Sequence, residues 1–403
     1  MIKTKYSFFL IALIKVLFIS TIYSSSGILS IGPVNSIAHT GVGGYQEVDT
    51  MVLNPAWLSD FSTKQRDRTI TFGFFNFVPS FKSKLNLVST TTEVDNDMGT
   101  IRLPYIGYLA KLSKTFTYGF GLFSGGGSGS NFTDAPEAFD VFYQNIDSFF
   151  TTTHIVNSIA YQKSKFNFGF SINVVSGALS TSVDDSSNVV GTSTTKIKLD
   201  TFSAATSYKY LIGFGYKFND SFQAGLNYTS KLSLDFDDGD VSYINDEFTY
   251  STKTIDEPSL LSAGLSVTND KLKLNSDVHY IFWEDTNQAE YDWVNGTMIN
   301  LGLHYTLIPN RIVTAVGYSQ SSRIINSSTA SNVSSLLVNT AFQPAILEKE
   351  ISISTTLTLT KTFSTIFNVV YWPETSLTQT FSGIEGTLIS SGYGASISTK
   401  MGF

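Results

Sequence analysis

The sequence predicts an all-β protein, a fourteen-stranded antiparallel transmembrane β-barrel with an N-terminal plug. Three observations predict it. First, residues 393–403 alternate without a fault: Tyr393, Ala395, Ile397, Thr399, Met401 and Phe403 share one face, and Gly394, Ser396, Ser398, Lys400 and Gly402 the other. A period of two with one apolar face is a half-buried strand. An aromatic residue closing such a strand suits a wall whose last strand must pair with its first. Second, thirteen further segments show the same period. Third, their connections alternate between short and long, as the two ends of an outer-membrane barrel do.

The strands are expected near 69–89, 100–113, 116–124, 152–162, 165–180, 206–218, 221–238, 258–269, 271–288, 296–308, 311–325, 347–360, 363–377 and 388–403. In one of them Phe166, Phe168, Phe170, Ile172 and Val174 oppose Asn167, Gly169, Ser171 and Asn173. Short connections fall around 113–115, 163–164, 219–220, 269–270, 309–310 and 361–362. Long ones fall around 90–99, 125–151, 181–205, 239–257, 289–295, 326–346 and 378–387. Strict alternation of six short and seven long connections puts both termini on the short-turn side, which is periplasmic. A water-soluble β-sandwich would alternate too, but without this loop asymmetry.

Composition agrees. Charged residues are 15% of the chain, against about 25% in soluble domains. No apolar run beyond the N-terminus is long enough to cross a bilayer as a helix. The net charge of −7 argues against nucleic acid as a partner. Cysteine is absent, so neither a disulfide nor a lipid-modified N-terminal cysteine is possible.

At the N-terminus, Lys3 and Lys5 precede an apolar stretch at 8–22, interrupted by Lys15 and followed by Ser24, Ser25 and Ser26. This is the pattern of a cleaved secretory leader. Residues 1–26 are therefore expected as a signal peptide, 27–68 as a plug (or hatch) inside the lumen, and 69–403 as the barrel. The plug segment is glycine-rich at Gly41, Gly43 and Gly44 and carries no strand pattern. A lumen of fourteen strands is wide enough to need filling or to conduct.

The plug contains Asn54-Pro55-Ala56-Trp57-Leu58, preceded by Gly41-Val42-Gly43-Gly44 and Asp49. With Pro104-Tyr105-Ile106-Gly107-Tyr108, Tyr118-Gly119-Phe120-Gly121, Asp277-Val278-His279-Tyr280 and Pro344-Ala345-Ile346-Leu347-Glu348, it resembles the outer-membrane long-chain fatty acid and aromatic hydrocarbon transporters. Two departures stand out: Trp57 follows Asn54-Pro55-Ala56 where the family commonly has glycine, and Ser352-Ile353-Ser354 stands where a glycine would often occur. The resemblance implies that outer loops capture a hydrophobic ligand, most simply a long-chain fatty acid, and that movement of the hatch opens a route, in several members sideways through the wall. It also implies a Gram-negative outer membrane and a monomeric barrel, with lipid, lipopolysaccharide and the barrel assembly machinery as partners and Phe403 as an assembly signal.

Candidate ligand-binding residues come from two patterns. Asp134-Ala135-Pro136-Glu137 has capping-box spacing with proline in the first turn. Phe139, Phe142, Tyr143, Ile146, Phe149 and Phe150 then recur at helical spacing. Such a stripe either packs on the barrel rim or lines a greasy capture groove. Alternation sends Arg102, Lys209, Lys231, Arg323 and Lys400 to the lumen, and a carboxylate-bearing ligand would need one such cation. Arg102 and Lys209 lie nearest mid-strand. His279 and His304 are expected inward and roughly opposite each other, more in keeping with a polar network than a metal pair. No nucleophile–base arrangement emerges, Gly125-Gly126-Gly127-Ser128-Gly129 lacks the rest of a phosphate loop, and neither enzymatic activity, a metal nor a cofactor is expected. The rival from another class is a structural or adhesive surface barrel with Ser/Thr/Asn-rich display loops at 181–195 and 327–335.

Overall fold

The computed structural model describes residues 33, 37–45, 47–60, 67–87, 90–96, 98–132, 146–185, 197–236, 239–243, 247–250, 253–325, 327–332, 335–336, 339–340 and 346–403. The leader expected at 1–26 lies outside them.

In chain order the strands begin with β1 (Arg68–Leu87), β2 (Thr90–Asn96), β3 (Ile101–Lys111), β4 (Phe116–Phe132), β5 (Ile146–Lys163), β6 (Phe166–Asp185) and β7 (Ile197–Lys217). There follow β8 (Phe222–Thr229), β9 (Leu232–Phe236), β10 (Gly239–Tyr243), β11 (Glu247–Tyr250), β12 (Lys253–Glu257) and β13 (Leu260–Asn269). The series continues with β14 (Leu272–Ile281), β15 (Gly296–Ile308), β16 (Ile312–Ser321), β17 (Lys349–Thr360), β18 (Phe363–Phe381) and β19 (Ile384–Gly402). Fourteen of them, β1, β3–β8 and β13–β19, make a closed antiparallel wall. Closure is the β1–β19 ladder, from Thr69↔Gly402 to Asn86↔Glu385. Just beyond it the Phe403 N–H donates to the Arg68 carbonyl at 3.1 Å. Lipid offers no hydrogen-bond partner, so a ring is the one arrangement of strands that leaves no edge in the membrane.

The wall turns its greasy face outward. Phe168, Phe170, Ile172 and Val174 are exposed, while Asn167, Ser171 and Asn173 are buried in the lumen. Two aromatic girdles frame this band, as barrel walls at a membrane have. Phe116, Phe166, Phe218, Tyr305 and Phe403 lie exposed near the short-turn end, and Tyr210, Tyr228, Tyr280, Tyr318, Tyr371 and Tyr393 toward the other.

Several boundaries differ from the sequence reading. The connection expected at 378–387 is a two-residue turn of Ser382 (φ 51°) and Gly383 (φ 85°), with Phe381 paired to Ile384. Both central residues adopt the left-handed conformation that matches strand twist in a tight hairpin. The connection expected at 90–99 contains β2, which folds back on β1 from Leu87↔Thr90 to Phe81↔Asn96. The strand expected at 221–238 leaves the wall after Thr229, and β9 pairs instead with β12 in a separate two-stranded sheet. Leu232, Leu234 and Phe236 are buried in the lumen core. Alternation persisted there because that hairpin also buries one face; the period records one-sided burial, not membership of a particular sheet.

Candidate functional site

The N-terminal segment packs against the inner face of the wall. Its Gly41, Val42 and Gly43 amides converge on the buried Asp277 carboxylate of β14, at 2.5, 2.9 and 3.3 Å. Asn54 holds the segment's own fold: its side-chain amide donates to the Val42 carbonyl (2.9 Å) and to the Phe214 carbonyl of β7 (3.2 Å), and its oxygen accepts the Ala56 N–H (3.2 Å). The Trp57 indole donates to the same Val42 carbonyl at 2.7 Å, so the tryptophan that departs from the family pattern is built into the turn. Ser352, the other departure, accepts the Ala38 N–H at 3.0 Å. Two charged contacts complete the seating, Lys400 to Glu47 at 3.0 Å and His39 to Glu350 at 3.1 Å.

Close approach of backbone to wall requires glycine on the wall. A Cβ at Gly169 would lie 2.1 Å from the Pro55 carbonyl carbon, one at Gly225 2.0 Å from the Val42 oxygen, and one at Gly264 2.3 Å from the Gly43 nitrogen. These glycines pair across the strands, Gly169↔Gly213, Gly225↔Gly264 and Gly302↔Gly317. They form a belt of missing side chains on the inner face. The sequence held the signal, since each lies at an inward position of its strand, but alternation alone reads them as ordinary polar-face residues.

Two apolar zones line the lumen. Toward the long-connection end, Phe150, Val175 and Leu179 meet Leu234, Phe236, Trp283, Trp293 and Met298. The second zone contains Phe75, Tyr105, Phe123 and Trp372, with Phe77 and Leu103 packed against them and Val48 and Met51 of the N-terminal segment beside them. The wall is interrupted next to this zone. β3 and β4 pair from Lys111↔Thr117 only as far as Tyr105↔Phe123. Beyond that point β4 follows β5 through a register shift between Ser124 and Gly127. The Ser124 hydroxyl donates to the Pro104 carbonyl at 2.8 Å, a side-chain bond where a ladder bond would stand. β2 and β3 are themselves separated by residues 97–100. The facing part of β1 includes Pro79, which has no N–H to give to a ladder. The gap in pairing between Ile101–Pro104 and the bulged β4, a window in the ladder, lies beside an aromatic patch.

A closed fourteen-stranded wall with an apolar lumen has known counterparts. The sequence profile of the family described as outer membrane protein transport protein (OMPP1/FadL/TodX) matches residues 35–307. The chain belongs to this family. FadL/TodX members are outer-membrane transport proteins for hydrophobic compounds, and this chain is one of them. Among solved structures it is similar to the P. putida toluene transporter TodX, at 16% identity over 93% of this chain and 99% of that one, with a TM-score of 0.71. It is similar also to a Pseudomonas aeruginosa FadL homologue, at 12% identity over 91% and 97% of the two chains and a TM-score of 0.71. The Ralstonia pickettii toluene transporter TbuX matches at 14% identity over 93% and 99%, with a TM-score of 0.64. At these identities the likeness is one of fold. No curated protein matches the sequence.

In this FadL/TodX-family chain the nominated residues fare unequally. Arg102 does not face the lumen. It shares its strand face with the exposed Ile106, while Leu103 and Tyr105 point inward. The usual polar-in rule is inverted here because the lumen beside the window is apolar. Lys209 does face inward, but its ammonium is paired with Glu257, which also stands 3.9 Å from His154. Lys231 pairs with Asp256 at 2.9 Å, Arg323 with Glu348 at 2.6 Å, and Lys400 with Glu47 as above. His279 and His304 are not opposite each other. His279 is in register with Met298 and His304 with Lys273, six residues or about 20 Å along the strand, because the hairpin is centred nearer Gln288 than Tyr291. His279 belongs to a hydrogen-bonded network with Ser262 (2.8 Å) and Asn300 (3.2 Å). Among the described residues no group of three His, Asp or Glu side chains is placed to hold a metal ion.

Phe139, Phe142 and Tyr143 lie outside the described residues. Ile146 does not end a helix but opens β5, in register with Phe132 and Val183. Phe149 and Phe150 follow it in the strand, Phe149 exposed and Phe150 buried in the first apolar zone. Ladder hydrogen bonds to two neighbours outweigh an apolar spacing that happens to suit a helix.

Proposed function

We propose that this protein imports hydrophobic small molecules: outer loops capture them, the N-terminal segment acts as the hatch, and they leave the lumen sideways through the window between β3 and β4. The observation that carries the reading is the unpaired stretch above Tyr105↔Phe123, bordered by the cluster of Phe75, Phe77, Tyr105, Phe123 and Trp372. An apolar solute crossing there passes from an aromatic lining into lipid without meeting water. Asn54, Pro55 and Ala56 serve the hatch by fixing its turn against β7. The short-turn end is periplasmic in this reading, with both termini there.

The charge pairing favours an uncharged hydrocarbon over a fatty acid. Each inward cation nominated from the sequence already has a carboxylate partner, so an incoming carboxylate would have to displace Glu257, Asp256, Glu348 or Glu47. Labelled toluene and labelled oleate, offered to intact cells with and without the gene, separate the two substrates. Toluene uptake should depend on the gene more strongly than oleate uptake. Deleting Gly126 removes the extra residue of the β4 bulge against β5 and should let β4 run on beside Ile101–Pro104 and narrow the window, so uptake should fall while barrel levels hold. Unchanged uptake of every hydrophobic compound in cells lacking the gene would overturn the transport reading.

A further inference from the structure

Glu350 of β17 joins the N-terminal segment to the aromatic zone beside the window. Its side chain is buried, and its Oε2 accepts two hydrogen bonds, from His39 Nε2 at 3.1 Å and from Trp372 Nε1 at 3.2 Å. His39 lies in the segment seated on the wall. Trp372 lines the lumen, its ring edge-on to Phe77 at 5.0 Å and to Phe75 at 6.1 Å. Trp372 is in register with Gly392 of β19, where a Cβ would come within 2.8 Å of the Phe77 ring. The glycine makes the room in which the two rings meet.

The contact is incompletely satisfied. Glu350 Oε1 and His39 Nδ1 are both buried and have no hydrogen-bond partner. A buried ion pair offsets its desolvation only when the remaining lone pairs and protons are also satisfied. Here two of those atoms are left over, unlike Asp277, which takes three backbone amides. A hydrophobic solute that wedges against Phe77 and turns the Trp372 indole away removes one of the two donors on Oε2. The carboxylate is then left buried with His39 alone, and moving toward water separates the pair.

We propose that Glu350 is a positioning residue through which occupancy of the Phe75–Phe77–Trp372 cluster releases the N-terminal segment at His39. The proposal rests on the reading that this segment gates the lumen. Hydrogen exchange of the amides at 38–43, followed by mass spectrometry on the full chain in detergent micelles, tests it, with toluene and, in parallel, oleate as probes. In the wild type the compound that cells take up should speed exchange in this stretch. Trp372→Phe keeps a ring but removes the donor, and Glu350→Gln removes the charge. Each should raise basal exchange about tenfold, the scale of losing a hydrogen bond to a charged group, and abolish the further effect of the probe. The double variant should exceed neither single one, since both act through one contact. Heat-modifiable migration checks that each barrel has folded. His39→Asn, which lies outside the wall, repeats the basal measurement without touching a strand. Wild-type exchange in Trp372→Phe and Glu350→Gln, with the probe effect intact, overturns the proposal. If cells take up neither compound and yet the variants free the segment, the transport reading falls and the link through Glu350 stands.

Discussion

Asp277 and His39 hold the same segment by different physics, and they respond to different perturbations. Asp277 is an anion cradled by three successive backbone amides, a geometry that favours negative charge. Replacing it with alanine leaves Gly41, Val42 and Gly43 without their acceptor. Seating should weaken by about 1–3 kcal/mol, read as faster exchange at those amides in a barrel that still migrates as folded; unchanged exchange would count against the cradle. His39 is titratable. Burial alone would lower its imidazole, but the charge and hydrogen bond of Glu350 and the charge of Asp49 outweigh burial and hold it above its ordinary value of 6.5. A value raised on seating means that the seated state binds the proton more tightly. Its stabilisation is complete below 6.5 and is lost as pH rises through the raised value. Exchange of the segment, corrected for its intrinsic pH dependence, should therefore quicken as pH rises through that range in the wild type and stay flat in His39→Asn. At this scale the sequence was least legible. Arg102 and Lys209 both looked like free lumen cations, because a sequence shows a residue's place in the alternation but neither the local polarity of the lumen nor the carboxylate that folds in beside it.

Among the elements, the wall strands are legible in the sequence and the excursions from the wall are not. β6 alternates as expected because lipid on one side and lumen on the other impose opposite chemistry on successive residues. β9 alternates as cleanly, and so did not reveal that it leaves the wall. The glycine belt is the element-scale feature that matters most for seating the N-terminal segment, since it lets backbone lie against backbone. Gly225→Val would place a side chain where the Val42 carbonyl sits. Overpacking of this kind costs about 1–3 kcal/mol, here taken from the seating of the segment rather than from the ladder. Planar-bilayer recordings should show a higher resting conductance than the wild type, and an unaltered conductance would mean that the belt does not hold the segment. Gly392→Val should act elsewhere, disturbing the Phe77–Trp372 contact and not the segment's backbone.

For the whole molecule, closure is the decisive event. β19 pairs along nearly its entire length with β1 on one side and β18 on the other, and Phe403 ends its outward face. Deleting Phe403 removes the last bond of the β1–β19 seam and an exposed aromatic of the lower girdle. The amount of heat-modifiable barrel in outer-membrane fractions should fall, with the residual protein less resistant to added protease. Undiminished levels would make the terminal aromatic incidental to assembly.

Fold class, strand number and the outward face were determined by the sequence itself, because a wall between lipid and lumen writes its period of two into every strand. The turn between β18 and β19, the inward hairpin of β9 and β12, and the window above Tyr105↔Phe123 were decided only by the tertiary structure. Each depends on which strand supplies the next hydrogen bond, and that information lies in the partner strand rather than in the segment. The same holds for the seating of the N-terminal segment. Asp277 and Gly41 are 236 residues apart, and Glu350 and His39 are 311 apart. Nothing local to either residue announces the other; they meet because ring closure brings the inner faces of distant strands around one short segment.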